Sequence, residues 1–177
     1  MLAQKMRAVL AKAMSMPYPF SDMVDKARKG GIRLEALQLD LAAQRPEEAI
    51  RQLLEPIRQF PALKDADRIL RQILEREGEM STCFGHLAAF PHARTEACQE
   101  LVISAGRLAR PIQWGSQVQE AQLVFLLVVP LSAINPYLAT MRDLTHAFRK
   151  TKLTEQLLEA KDEAAFLEAF NRCLARV

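Results

Sequence analysis

The stretch AAFPHARTE, residues 88 to 96, places a histidine directly behind a proline at the end of a small, apolar run, with an arginine two residues further on. A neutral imidazole is a competent nucleophile near pH 7, because its ordinary pKa is about 6.5. Pro91 fixes the backbone in front of His92, and Arg94 brings a cation for an anionic group. The pattern fits a nucleophile presented to solvent at the mouth of an apolar strand. It also fits a turn histidine satisfied by backbone groups. Taken alone the segment favours the second reading; the residues around it reverse that preference.

Other chemistries are weaker. Cys83, His86, His92 and Cys98 follow a C-x2-H-x5-H-x5-C spacing with the right ligand types for zinc, but neither paired half of a common zinc site is present. No Gly-x-Ser-x-Gly elbow points to serine catalysis. The net charge of +3 is mild and only 6% of residues are aromatic, which argues against nucleic acid as a partner. Three cysteines without a CxxC pair fit a reducing cytoplasm better than a disulfide framework. Residues 1 to 16 mix apolar positions with Lys5, Arg7 and Lys12, unlike a signal peptide. The longest apolar run, LVFLLVVPL at 123 to 131, is half the length of a membrane span and reads as a buried strand. No cofactor and no metal is expected.

The elements that must position His92 follow from periodicity. A chain of 177 residues suits one domain with an appendage. Residues 1–31 read as that appendage. Leu2, Met6, Val9, Leu10 and Ala13 fall at helical spacing, PYPF interrupts, and Ser21 can cap a second short helix ended by the glycines at 30 and 31. This segment can pack on the domain, dock a partner or second copy through its methionines, or lie on a membrane.

Residues 32–177 read as the domain proper. A strand lies within 32 to 41. Pro46 with Glu47 and Glu48 opens a helix with Ile50, Leu53, Leu54 and Ile57 on its apolar face. A second helix carries Ile69, Leu70, Ile73 and Leu74 and ends near Gly78. FGHLAAF, ELVISAGRL and QLVFLLVV then predict three strands. After Pro136 the spacing of Leu138, Met141, Leu144 and Phe148 predicts a helix, and two more short helices follow. Helices on both faces of one small sheet give an α/β fold.

The order Arg76-Glu77, Ser81-Thr82, Gly85, Ala88-Ala89-Phe90 and Pro91-His92 resembles the IIA components of the fructose, mannitol and nitrogen-regulatory class of the phosphoenolpyruvate-dependent phosphotransferase system. The segment from Gly106 through Trp114 to Pro130 is similar to that family's strand, tryptophan-bearing turn and apolar strand ending in proline. The resemblance covers residues 32 to 174 in order. It implies a three-layer α/β/α fold with a small mixed sheet. It implies a transferase-class phosphocarrier in which His92 accepts phosphate from the phosphocarrier HPr on its far ring nitrogen. The partners implied are HPr and then a IIB permease domain or a regulatory target. Membrane association is expected only through a partner or residues 1–31.

On those positions the chemistry is reasonable. Phosphoryl transfer is mostly positioning and cation contact. Arg76 supplies a planar, permanently charged donor fork, Thr82 a hydroxyl donor, and Arg94 a second cation. Two departures stand out. Tyr137-Leu138 occupies the place of the family's His-Leu pair, and a phenol donates one hydrogen bond without carrying positive charge. Cys83, Phe84, His86 and Leu87 replace smaller or more flexible residues. A rival reading is therefore a IIA-like interaction domain that is not phosphorylated, associated with a transporter or acting by binding alone. Plainer roles are a surface ion pair of Arg76 with Glu77 or Glu79, structural or exposed positions for His86 and His146, and packing at a turn for Trp114.

Overall fold

The computed structural model describes residues 32–115, 119–149 and 151–175. The expected appendage, residues 1–31, lies outside them. The chain runs β1 (Ala36–Leu41), α1 (Pro46–Leu54), a 3-10 turn (Glu55–Ile57) and α2 (Ala66–Glu79). It continues as β2 (Cys83–Gly85), β3 (Ala88–Ala89), β4 (His92–Thr95), β5 (Val102–Gln113) and β6 (Glu120–Pro130), then α3 (Ile134–Phe148), α4 (Thr151–Glu159) and α5 (Glu163–Leu174).

The described strands form one mixed six-stranded sheet in the order β1-β5-β6-β3-β2, with β4 also paired to β6. β5 and β6 are antiparallel, while β1 is parallel to β5 and both β3 and β4 are parallel to β6. β3 and β4 lie end to end along one edge of β6: Ala88 pairs with Leu123 and His92 with Leu127. Phe90 and Pro91 join them.

β6 explains the three layers. Side chains alternate across a strand. Val124, Leu126 and Val128 pack into the cluster under α1 and α2, with Ile50, Leu53, Ile69 and Ile73. Leu123, Phe125, Leu127 and Val129 pack into the opposite cluster under α3 to α5. Both faces are covered, so the strand reads as continuously apolar. The second cluster is built on phenylalanines: Phe125 lies 5.3 Å from Phe148 and 5.4 Å from Phe170, ring centre to ring centre. Helix starts follow the usual chemistry. The Asp65 carboxylate accepts from the Arg68 amide at 2.9 Å, and the Asp162 carboxylate from Ala165 at 2.8 Å. Arg107, on β5, sends one guanidinium nitrogen to the carbonyls of Leu157, Leu158 and Ala160, at the end of α4, where a cation is favoured.

Two elements differ from expectation. FGHLAAF is a hairpin rather than one strand, because His86 and Leu87 both adopt left-handed backbone, φ 50 and 58°, the geometry of a tight two-residue turn. His92 lies not in a turn beyond a strand but at the first position of β4. The last β-strand is followed by a helix that starts at Ile134, two residues before Pro136; a proline fits there because first-turn N–H groups have no intrahelical partner.

Candidate functional site

β4 presents His92 and Arg94 on one face, while Ala93 and Thr95 are buried on the other. The Nδ1 of His92 lies 2.8 Å from the Phe90 carbonyl oxygen. A carbonyl only accepts, so Nδ1 carries the proton and Nε2 carries the lone pair. The Tyr137 hydroxyl, from the first turn of α3, donates to that Nε2 at 3.1 Å. Burial pushes the His92 pKa below the ordinary histidine value. The Phe90 carbonyl opposes this, the Arg76 charge reinforces it, and Glu77 opposes it. The imidazole is therefore neutral at pH 7. Burial also raises the Tyr137 pKa, against the pull of Arg76 and Arg94, so the phenol keeps its proton.

The last turn of α2 supplies Arg76. One of its terminal nitrogens donates to the Met80 carbonyl at 2.8 Å. Arg76, Ser81, Thr82, Phe90 and His92 line one cleft of about 230 Å³, closed on the α3 side by Met141 and Thr145. Arg94 stands outside it, donating to the Leu131 carbonyl at 3.2 Å. The structure thus brings His92, Arg76 and Thr82 into one cleft, with Tyr137 touching His92 and Arg94 flanking.

Glu77 is the group that reading the sequence placed differently. Among the described residues it forms no ion pair with Arg76. Its carboxylate instead accepts the Thr82 amide at 2.8 Å, the Thr82 hydroxyl, and the Trp114 indole N–H at 2.9 Å. A hydroxyl has one proton to donate, so the Thr82 donor is committed to Glu77 rather than free for an anion. Trp114 is fully buried and more than turn packing: it ties the end of β5 to the end of α2. A signal was present, since a buried indole N–H normally finds a partner, but one sequence does not say which carboxylate. Gly115 completes the corner. Its φ is 80°, and a Cβ there would lie 2.6 Å from the Cβ of Ser81, so a side chain would push on the Ser81–Thr82 segment.

The four residues with zinc-like spacing do not assemble. Among the described residues no three His, Cys, Asp or Glu side chains form a metal-binding group. His86 is exposed in the hairpin turn, and the Cys98 thiol donates to the Glu100 carbonyl at 2.7 Å. Burial raises the pKa of both Cys83 and Cys98. His146 is exposed on α3, away from the cleft lining. No helix among the described residues is long and apolar enough to cross a membrane.

Comparison with known proteins bears on the family and the fold. The family model described as "Phosphoenolpyruvate-dependent sugar phosphotransferase system, EIIA 2" matches residues 32–173. The fructose-specific EIIA component of Haloferax volcanii is 30% identical over 131 residues, covering 73% of this chain and 85% of that protein. The fructose-specific EIIABC component of Bacillus subtilis is 28% identical over 77% of this chain, which spans only 22% of that longer protein. The nitrogen regulatory protein of Pseudomonas aeruginosa is 27% identical over 59% of this chain and 68% of that protein. Among solved structures, nitrogen regulatory protein IIA-Ntr from Neisseria meningitidis superposes with a TM-score of 0.69 at 19% identity, covering 78% of this chain and 92% of that one. IIA mannitol from Escherichia coli, solved also in complex with phosphorylated IIB, gives 0.66 at 22% identity over 76% and 95%. At such identities these structures speak for the fold, and the sequence matches carry the assignment: the chain belongs to the EIIA 2 family of the phosphoenolpyruvate-dependent sugar phosphotransferase system.

Proposed function

We propose that this EIIA-type domain is a phosphohistidine carrier or regulator that accepts phosphate from an HPr-type phosphocarrier on Nε2 of His92. The reaction forms an N–P bond at Nε2 as the donor's own N–P bond breaks. Nδ1 keeps its proton on the Phe90 carbonyl throughout. Arg76 is the main cation, Arg94 a second, and Thr82 and Tyr137 support the site. The phosphate then passes to a IIB permease domain, or the phosphorylation state is read by a regulatory target in the cytoplasm.

One observation carries the proposal. His92 is neutral, its tautomer is fixed by the Phe90 carbonyl at 2.8 Å, and it shares a cleft with Arg76. The IIB partner draws support from the complex of the mannitol IIA relative with phosphorylated IIB. A protein partner also suits the exposed Met80, Leu131, Ile134 and Leu138, which adjoin Arg76, Arg94 and Tyr137 through chain or hydrogen bond.

Incubation with phosphoenolpyruvate, enzyme I and HPr, followed by intact-mass measurement, tests it. One acid-labile phosphate is expected on the natural chain and none on His92→Ala. A phosphate retained by His92→Ala overturns the assignment. A second reading, an interaction domain that is not phosphorylated, rests on the Tyr137 hydroxyl occupying the Nε2 lone pair. It predicts no phosphate on either chain.

A further inference from the structure

We infer that Tyr137 is a catalytic residue that exchanges partners during the reaction: its hydroxyl caps Nε2 of bare His92 at 3.1 Å and donates to a phosphoryl oxygen once Nε2 is loaded. The inference rests on His92 being the phosphoacceptor.

The geometry requires a move. The phenol oxygen lies within hydrogen-bond distance of the atom that must attack, so phosphorus and phenol cannot both occupy the lone-pair direction. When phosphorus bonds to Nε2, Tyr137 loses its acceptor, and the nearest new acceptors are the phosphoryl oxygens. The other donors around the cleft keep their resting partners: Arg76 the Met80 carbonyl, Arg94 the Leu131 carbonyl, and the Thr82 hydroxyl the Glu77 carboxylate. Tyr137 is the donor, among these, whose resting partner the reaction itself consumes. The exchange is downhill for the phenol, because a hydrogen bond to a charged acceptor is roughly twice as strong as one between neutral groups. The groups facing His92 are Arg76 and Glu77 from α2 and Tyr137 from α3, while Arg94, from its own strand, acts on Tyr137. The phenol differs from the arginines in contributing a hydrogen bond without charge.

Tyr137→Phe keeps the ring and removes the hydroxyl, and both halves of the exchange can be read in the 177-residue chain. The first readout is an NMR titration of the His92 ring. A donor to Nε2 favours the neutral imidazole, so the His92 pKa is expected to rise in Tyr137→Phe; an unchanged titration overturns the cap. The second uses phosphoramidate as donor, which needs no protein partner. Nε2 attacks phosphorus, the P–N bond breaks, and ammonia leaves with the bonding pair. Loading at His92, followed by fragment mass spectrometry, is expected to slow about tenfold in Tyr137→Phe, the worth of one charge-assisted hydrogen bond. Equal or faster loading overturns the handover and leaves the phenol as a block. If the natural chain takes no phosphate on His92, the phosphoacceptor reading falls with the handover, while the titration still reports the resting contact separately.

Discussion

Helices α2 and α3 approach His92 from the two outer layers and bring opposite kinds of chemistry. The end of α2 is charged and pinned. Arg76 is tied to the Met80 carbonyl, and Glu77 gathers three donors from Thr82 and Trp114. The start of α3 is uncharged. The Tyr137 hydroxyl contacts His92, and its neighbours Ile134 and Leu138 are exposed. The difference teaches how one site divides its labour. The α2 side holds a cation in place through a backbone carbonyl, while the α3 side meets His92 through a single hydroxyl.

The pinned side is broken most severely at Glu77. Glu77→Ala leaves the Thr82 amide and hydroxyl and the Trp114 N–H without their acceptor, so stability is expected to fall by about 2–3 kcal/mol. Urea unfolding checks it. A loss under about 0.5 kcal/mol would mean the clamp does not organise this corner. Next comes Arg76→Lys, which keeps the charge and loses the fork. Phosphate uptake from HPr is expected to slow about tenfold, with stability changed by less than about 0.5 kcal/mol. Equal uptake rates would remove Arg76 from the chemistry.

The opposite layer is sharpened at the β2–β3 hairpin, whose turn is held from α4 by the Thr154 hydroxyl on the His86 carbonyl at 3.2 Å. Leu87 sits at φ 58°, a conformation glycine tolerates without penalty. Leu87→Gly is expected to stabilise the fold by about 0.5–1 kcal/mol, the relief of left-handed strain less the added chain entropy. A lower unfolding midpoint would show that the leucine's packing outweighs its strain. The smallest effect concerns His92 itself. Its folded pKa lies below the unfolded value of about 6.5. The unfolded chain therefore binds the proton more readily, and stability is lost as pH falls below about 6.5 until the folded pKa has been passed. A pH series of unfolding midpoints should show this slope in the natural chain and a shallower one in His92→Gln. Identical slopes would mean that His92 is not held neutral by its surroundings.

The sequence made the layers legible because periodicity reports burial directly. The unbroken apolar run of β6 and the stripes at Ile69–Ile73 and Leu144–Phe148 could belong only to elements packed on a core. His92, Arg76 and Thr82 were legible through their order along the chain. The hairpin at His86–Leu87 was not, because neither residue is a usual left-handed one and FGHLAAF has the composition of a single strand. The Glu77 clamp was hidden for another reason. Arg76 beside Glu77 suggests an ion pair, yet adjacent residues on a helix point in different directions, and the partners of Glu77 arrive from the loop after α2 and from just beyond β5.

Trp114 is the sole tryptophan of the chain, and its indole N–H rests on the same carboxylate that holds Thr82 at the cleft. The protein therefore carries its own optical probe of the Glu77 corner. Any event that shifts Glu77 changes the field along the indole and hence its emission, so the state of this corner can be followed by ultraviolet fluorescence without a label.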